Sequence, residues 1–592
     1  MNILQNTTWL RSTGVKFIAS IVIIGFAVYF NSLFNGFVLD DTAQLVNNPQ
    51  VHTLENIPAI FTGTAQQGTM TLFSAFYRPV FLSAYAIMYA FFGASAFHFH
   101  LVQLLLFIAN AVLVYLFFSL FFRKHISFVL SLIFLLHPIN NQNAVYIANL
   151  QDVLYFFFGM LAFLVATSMR FSKVSSLVLS TFCLLLAMFS KESAVLFLIM
   201  IPLYRYLFKK KDTLLYSVLS AGILGTYLFC NFVIARNGIT KDMFVPIARE
   251  PLFVRLLSVP KIITHYLQTF LFPKDLVSVQ IWIVSKMTLR DFYLPMFLVI
   301  LFMAGCIAGG IWIRKHKKSS FKMYMFFLLW LTIGMSLYLQ ILPLDATVAD
   351  RWFYFPIVGL LGILGTVASG IHLNNTSHKT IALVCCALLL IGYAARDITR
   401  NADWKDDLTL YSHDSQLQTN YQLENGYGYA LIKDQRYDEA LQHLETSVNL
   451  APYAFINWNN LGTVYHYYAV QTKEKEYLKK TEQAYLMSIK NEKRYFRPVE
   501  NLAFFYYFNS DADKTYRFVN TWVKAFPSDK LWLVKALVEE NKLGKHDAAL
   551  QSAKTAYSIN PSSEMYRLYG FLQNSEKVDI LEADLFQSAG QQ

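Results

Sequence analysis

Charge is scarce in this sequence. Of 592 residues, 15% are Asp, Glu, Lys or Arg and 55% are hydrophobic, whereas soluble domains are about a quarter charged. A single soluble globular domain is thereby excluded. Cysteine is almost absent: Cys183, Cys230, Cys306, Cys385 and Cys386 are scattered through apolar segments. None forms a CxxC pair or a metal-ligand spacing, so they read as small hydrophobes. The tail beyond about residue 420 has no cysteine and is silent about redox compartment. There is also no basic stripe on a soluble face. Without one, the net charge of +12 does not indicate nucleic-acid binding and reads as the positive-inside bias of a membrane protein. A cleavable signal peptide is not expected either. The first apolar run, from about Val15 to Phe34, is too long for an h-region and has no small-residue cleavage site.

What is abundant is aromatic and aliphatic. Phe occurs 52 times and Tyr 35 times, as in lipid-facing helices with interfacial aromatic belts. Apolar runs near 17–34, 99–121, 126–136, 151–169, 174–190, 193–208, 213–233, 292–313, 322–342, 352–370 and 380–396 predict about eleven spans. Compact basic turns follow several of them: Arg123-Lys124-His125, Arg170 with Lys173, Lys209-Lys210-Lys211, and Arg314-Lys315-His316-Lys317-Lys318. With these spans all four turns share the side of Arg11 and Lys16. The positive-inside rule makes that side cytoplasmic and sends the C-terminal tail outside. Two further apolar stretches, 79–93 and 251–272, would reverse that order if either alone spanned. They are expected as interfacial or re-entrant helices on the outer face.

The expected organisation is a membrane domain over 1–400, a linker over 401–420 and a repeat domain over 421–592. In the tail, Gly428 and Gly462 are 34 residues apart, as are Pro527 and Pro561; Pro452 to Pro527 is 75, two periods plus seven. Thirty-four is the tetratricopeptide (TPR) period. The residue types also fit: Gly428, Tyr437, Ala440, Leu444 and Pro452 in the first repeat; Trp458, Leu461, Gly462 and Tyr465 in the second. Leu502, Ala503 and Tyr506 follow in the third, and Gly544, Ala549, Ala556 and Pro561 in the fourth. About four repeats and a C-terminal helix are expected, making the chain all-α: a polytopic helical bundle followed by an α-solenoid. TPR arrays hold peptides or other proteins, or cap a neighbouring body.

Unusual polar residues collect in the outer loops: Asp40-Asp41 after the first span, Arg78 before Pro79, His137-Pro138 through Asp152, Lys191-Glu192, and Asp345 with Asp350-Arg351. Ionisable groups at membrane depth are costly and usually functional. Acids and bases on one side suggest one polar site at the outer mouth of the bundle. Each also has a plain structural reading: a helix cap for the Asp pair, an ion pair for Lys191-Glu192, snorkelling for Arg351, a helix end for His137.

Taken in order, Asn-Gly-Phe-Val-Leu-Asp-Asp (35–41), Asn48-Pro49, Tyr77-Arg78-Pro79, His100-Leu101-Val102-Gln103, His137-Pro138, Ala144-Val145 through Asp152, Ser190-Lys191-Glu192, Pro273 through Leu276, Asp350-Arg351 with Tyr354 and Pro356, and Trp404 resemble the GT-C glycosyltransferases that carry C-terminal TPRs. The likeness is to the transmembrane-and-TPR-containing family, which includes eukaryotic protein O-mannosyltransferases and many bacterial members. It covers nearly the whole chain. One departure is Asn140-Asn141-Gln142-Asn143, where relatives often place an acid after the His-Pro pair. That puts a metal ligand there in doubt, while His100 and Asp152 keep their family positions.

The resemblance implies transfer of a sugar from a polyprenyl-phosphate lipid to a protein or other envelope acceptor on the outer face, with inversion. Lipid phosphate needs positive charge as it leaves, which suits Arg351 first, then Arg78 and Lys191. The acceptor hydroxyl needs a base, for which Asp40 is the choice, with Asp41 as partner. His100, His137, Asp152, Glu192 and Asp350 would support them. Relatives differ on metal use; where a cation takes part, hard oxygen ligands suit Mg²⁺ or Mn²⁺, with Asp41 and Asp152 as the pair to hold it. The TPR array would hold an acceptor or a partner protein. The short loops suggest a bacterial inner membrane with a cytoplasmic N-terminus and periplasmic repeats. Two alternatives stay open: an envelope-polysaccharide ligase or polymerase, and a non-catalytic TPR membrane scaffold. A transporter is disfavoured because the polar residues sit at one mouth.

Overall fold

The computed structural model describes residues 13–63, 76–168, 171–236, 245–370, 375–526 and 528–573; Arg11, Arg170 and Pro527 lie outside them. Its contacts divide the chain into two units, Met1–Gln418 and Thr419–Gln592.

The first unit is a helical bundle of α1 (Thr13–Tyr29), α2 (Pro79–Phe92), α3 (Ala96–Phe118), α4 (Lys124–Leu136), α5 (Leu150–Thr167), α6 (Lys173–Ser190), α7 (Val195–Leu207), α8 (Thr213–Phe229), α9 (Leu252–Leu271), α10 (Leu294–His316), α11 (Phe321–Ser336), α12 (Pro356–Ala368), α13 (Thr376–Asp403) and α14 (Asp407–Leu417). Every expected span is a helix. Seven are long and apolar enough to cross a membrane: Thr13–Phe34, Ala96–Phe118, Ile147–Thr167, Lys173–Ser190, Thr213–Ile234, Leu289–His316 and Thr376–Asp403. The unit is an integral membrane domain. The other four, α4, α7, α11 and α12, have 13, 13, 16 and 13 residues, too few at about 1.5 Å per residue for a bilayer core of about 30 Å. They pack inside the bundle, and α12 is almost wholly buried.

Small residues let α11 and α12 approach: a Cβ on Gly359 would stand 2.5 Å from the Leu331 nitrogen, and one on Gly362 2.0 Å from Phe327 Cδ1. Apolar solvent gives helices no hydrophobic drive to associate, so such close contact holds them together. The stretches 79–93 and 251–272 are the helices α2 and α9. Between α4 and α5 the chain is buried from His137 to Leu150 and broken into short turns, 3₁₀ at Pro138–Asn140, a five-residue α-helix at Asn141–Val145 and 3₁₀ again at Ile147–Asn149. Broken backbone at that depth needs protein partners, and amide side chains tie it to its surroundings. Gln103 Nε2 donates to the Asn143 carbonyl at 2.7 Å, Asn140 Nδ2 to the Phe134 carbonyl at 2.8 Å, and Gln142 Nε2 to the Val277 carbonyl at 3.1 Å. Asn140, Asn141 and Gln142 form a hydrogen-bonding clasp, while both polar atoms of the buried Asn143 side chain have no hydrogen-bond partner among the described residues.

Of residues 401–420, expected as a linker, those up to Gln418 are mostly helical and belong to the first unit. Trp404 and Asp414 are fully buried. The buried Arg400 guanidinium bonds Asp414 Oδ1 at 2.9 Å through Nη1, and the Ser278 N–H donates to Asp414 Oδ2 at 2.7 Å. These contacts tie the segment to itself and, through Ser278, to the bundle.

The second unit is a run of helix pairs: α15 (Tyr421–Lys433) with α16 (Tyr437–Leu450), α17 (Phe455–Thr472) with α18 (Lys475–Asn491), α19 (Arg497–Asn509) with α20 (Ala512–Trp522), and α21 (Asp529–Leu537) with α22 (His546–Ile559), then α23 (Ser563–Gln573). A Cβ on Gly428 would meet Leu444 Cγ at 2.6 Å and one on Gly462 would meet Tyr485 at 2.7 Å, which is why the 34-residue repeat needs glycine there. The seven extra residues fall in the second pair, whose helices run to 18 and 17 residues against 13 and 14 in the first. Asn420, Asp511 and Ser528 cap helix starts. This is the expected TPR-type solenoid.

Candidate functional site

The loop after the first membrane helix carries Asp40 and Asp41, and the two carboxylates do different things. Asp41 is fully buried. Its Oδ1 accepts the Ala148 N–H at 2.7 Å and its Oδ2 the Val38 N–H at 3.1 Å. Expected as a catalytic partner or metal ligand, it is instead a brace between the loop and the 140s clasp. Asp40 is exposed. Its Oδ2 accepts a hydrogen bond from the Tyr146 hydroxyl at 2.9 Å, whose oxygen accepts the Asp40 N–H at 3.3 Å; Oδ1 has no hydrogen bond among the described residues. Desolvation by the surrounding protein raises the Asp40 pKa, Tyr146 and Arg351 pull it down, and Asp345 adds to the rise. A carboxylate both open to solvent and desolvated lies in a concavity.

Arg351 stands on the 3₁₀ turn Asp350–Tyr354. Among the described residues its only hydrogen bonds are long ones from Nη1, to Gln142 Oε1 at 3.3 Å and the Ser278 carbonyl at 3.5 Å. Asp345, Tyr146, Asp152 and Asp40 surround it closely enough to hold its charge on despite burial.

The other cations are committed. Arg78 makes a bidentate pair with Glu192, Nη2 to Oε1 at 2.7 Å and Nε to Oε2 at 2.9 Å, and also bonds Gln151. Lys191 Nζ donates to Asp152 Oδ2 at 2.7 Å, both side chains being at most 10% exposed. Burial lowers the Lys191 pKa and Asp152 opposes it. Lys191 and Glu192, adjacent in sequence, take different partners. Of the remaining candidates, His100 Nε2 donates to the Gly36 carbonyl at 3.3 Å and so touches the loop. Asp350 Oδ1 lies 3.6 Å from His265 Nε2. His137 is stacked on Phe270 with centroids 4.9 Å apart, its Nδ1 accepting the Ile139 N–H; burial lowers its pKa to about 4, which keeps it neutral. It is a helix-end residue.

Asp41 accepts a backbone N–H at each oxygen, and Asp152 gives Oδ2 to Lys191 while its buried Oδ1 has no hydrogen-bond partner among the described residues; among the same residues no three His, Cys, Asp or Glu side chains group as ligands. Tyr146 and Asp407 were not singled out from the sequence, and Asp345 was given no role there. Tyr146 lies inside the 144–152 motif, the one signal that could have found it; Asp407 fits no local pattern, yet it accepts the Leu39 N–H at 2.8 Å.

Fold and site define an all-helical integral membrane protein with a polar site at one loop cluster and a TPR tail. Comparison with known proteins agrees. The chain is 23% identical over 501 residues to the protein O-mannosyl-transferase TMTC3 of Mus musculus, covering 76% of this chain and 53% of that one. The Homo sapiens TMTC3 is 22% identical over 529 residues, 81% of this chain and 55% of that one. Drosophila melanogaster Tmtc2 is 33% identical over 105 residues, 18% of this chain and 11% of that one. The resemblance read from the sequence is thus borne out, and the chain spans about half the length of the relatives it matches. No protein-family model matches. A TPR protein of Thermus thermophilus aligns with 33% of this chain and 96% of its own, at 15% identity and a TM-score of 0.26.

Proposed function

We propose that the chain is a membrane glycosyltransferase that moves a sugar from a polyprenyl-phosphate lipid to a hydroxyl of a protein acceptor, with inversion, on the outer face of a bacterial inner membrane. The observation that carries this reading is that Asp40, open and desolvated, shares a neighbourhood with Arg351, a guanidinium whose Nε and Nη2 are uncommitted among the described residues. Similarity to proteins named O-mannosyl-transferases supports the class of reaction.

In the proposed step Asp40 takes the proton of the acceptor hydroxyl. The acceptor oxygen attacks the anomeric carbon from the face opposite the phosphate, and the bond from that carbon to the phosphate oxygen breaks. The lipid phosphate leaves with the electron pair, its growing charge met by Arg351, which can offer two parallel N–H donors. A desolvated carboxylate is a better base than a free one, since proton transfer gains as its pKa nears the working pH. Arg78 and Lys191 are neutralised by their partners and contribute field and framework. The TPR unit binds the acceptor or a partner protein, with the N-terminus cytoplasmic and the repeats periplasmic.

The test compares envelope glycoproteins and glycolipids of cells carrying wild type or Asp40→Asn at matched protein levels. Loss of one glycoform supports the reading and names the sugar. An unchanged profile, with Asp41→Asn also silent, rejects it and favours the scaffold; loss of a polysaccharide attachment alone favours the ligase.

A further inference from the structure

Leu39, immediately before Asp40, has φ +54°, in the left-handed region that a non-glycine residue occupies only under constraint. Such a conformation persists only where its surroundings over-determine it. Here the surroundings come largely from the far end of the bundle's sequence. The Gly36 N–H donates to the Lys405 carbonyl at 2.8 Å, Asn35 Nδ2 to the Asn401 carbonyl at 2.9 Å, and the Leu39 N–H to Asp407 Oδ1 at 2.8 Å. Trp404, fully buried, packs its ring on Tyr146 at 5.3 Å between centroids, and Tyr146 holds Asp40. The segment after the last membrane helix therefore grips Asp40 from both sides: through Leu39 on the backbone and through Tyr146 on the carboxylate.

We propose that Asp407 is a positioning residue for Asp40, fixing the left-handed Leu39 turn that presents the Asp40 carboxylate to the open site. This rests on the reading of Asp40 as the base. A plainer role is available, because Asp407 is the first residue of α14, where an acid favours the helix dipole. The two roles separate by chemistry. A dipole role needs the charge; the hold on Leu39 needs only an acceptor oxygen, which asparagine retains. Glycine at position 39 would adopt φ +54° without strain and so reduce the need for the hold.

The experiment measures sugar transfer by the purified full chain, using a panel of polyprenyl-phosphate sugars, alongside hydrogen exchange of the peptide spanning 36–42. Asp407→Ala is expected to lower kcat by about tenfold or more, the loss typical of a hydrogen bond to a charged group, with KM for the donor within about twofold. Asp407→Asn should stay within about threefold of wild type, and Leu39→Gly should recover most of the loss in the Asp407→Ala background. Exchange in 36–42 should quicken in Asp407→Ala alone among the Asp407 variants. Equal losses in Asp407→Ala and Asp407→Asn, absence of rescue, or unchanged exchange would each overturn the proposal. Asp40→Asn runs beside them. If it transfers sugar like wild type, the base reading falls, and exchange alone then decides whether Asp407 holds the turn.

Discussion

Around Asp152 the charges are matched one to one: Lys191 with Asp152, Arg78 with Glu192, at 2.7 Å each. Around Asp40 they are not. Asp40 and Asp345 share a neighbourhood with Arg351, yet no salt bridge joins them among the described residues. Both groups draw on the same outer loops and the same residue types. The closed pairs brace the bundle with their charges spent on one another, although the buried Asp152 Oδ1 has no hydrogen-bond partner among the described residues. An open set keeps a carboxylate and a guanidinium available, and its backbone is held in a strained turn to do so. Residue type and location alone do not separate framework from chemistry; the state of pairing does.

The comparison breaks if the two groups respond alike to substitution. The largest expected effect is on transfer: Asp40→Asn should lower kcat about 10²- to 10⁴-fold, the contribution of a positioned general base, while thermal unfolding stays within a degree or two. Arg351→Ala should cost about 10²- to 10³-fold, as loss of a charge-stabilising donor does, and Arg351→Lys should recover part of that, since an ammonium lacks the bidentate fork.

The paired group should behave oppositely. Lys191→Met leaves the buried Asp152 uncompensated and should cost about 3–5 kcal/mol of stability, read as a fall in Tm, with activity per folded molecule less affected. Lys191→Met with Asp152→Leu should regain most of it.

Some features of the molecule are legible in its sequence and others are not, for physical reasons. Eleven apolar runs and the 34-residue spacing of Gly428 and Gly462 were legible because burial imposes period and composition locally. Asp40 and Arg351 stood out as charges beside apolar runs. Partners were not legible: Arg78 and Glu192 are 114 residues apart and Leu39 and Asp407 are 368 apart, and no local pattern encodes such meetings. Nor was the left-handed turn, which tertiary contacts force on a leucine. The difference between Asp40 and Asp41, adjacent and identical in type, lies only in which backbone N–H groups each meets. The supposed linker failed for a related reason: its charges looked solvated, and Arg400 and Asp414 bury one another.

A smaller effect sharpens the account of Asp40. As a base it works deprotonated, so kcat/KM should rise with pH through its pKa, which desolvation by the surrounding protein places above the ordinary carboxylate value. Asp345 raises that pKa, so Asp345→Asn should move the acidic limb to lower pH and leave the plateau within about twofold. A limb that stays put, or moves up, would remove Asp345 from the neighbourhood of the base.

The most direct measurement is transfer from polyprenyl-phosphate sugars by purified wild type, Asp40→Asn and Lys191→Met with Asp152→Leu, each at matched folded concentration. Wild type and the double variant should transfer sugar and Asp40→Asn should not. Transfer by Asp40→Asn at the wild-type rate would contradict the reading of Asp40 as the base.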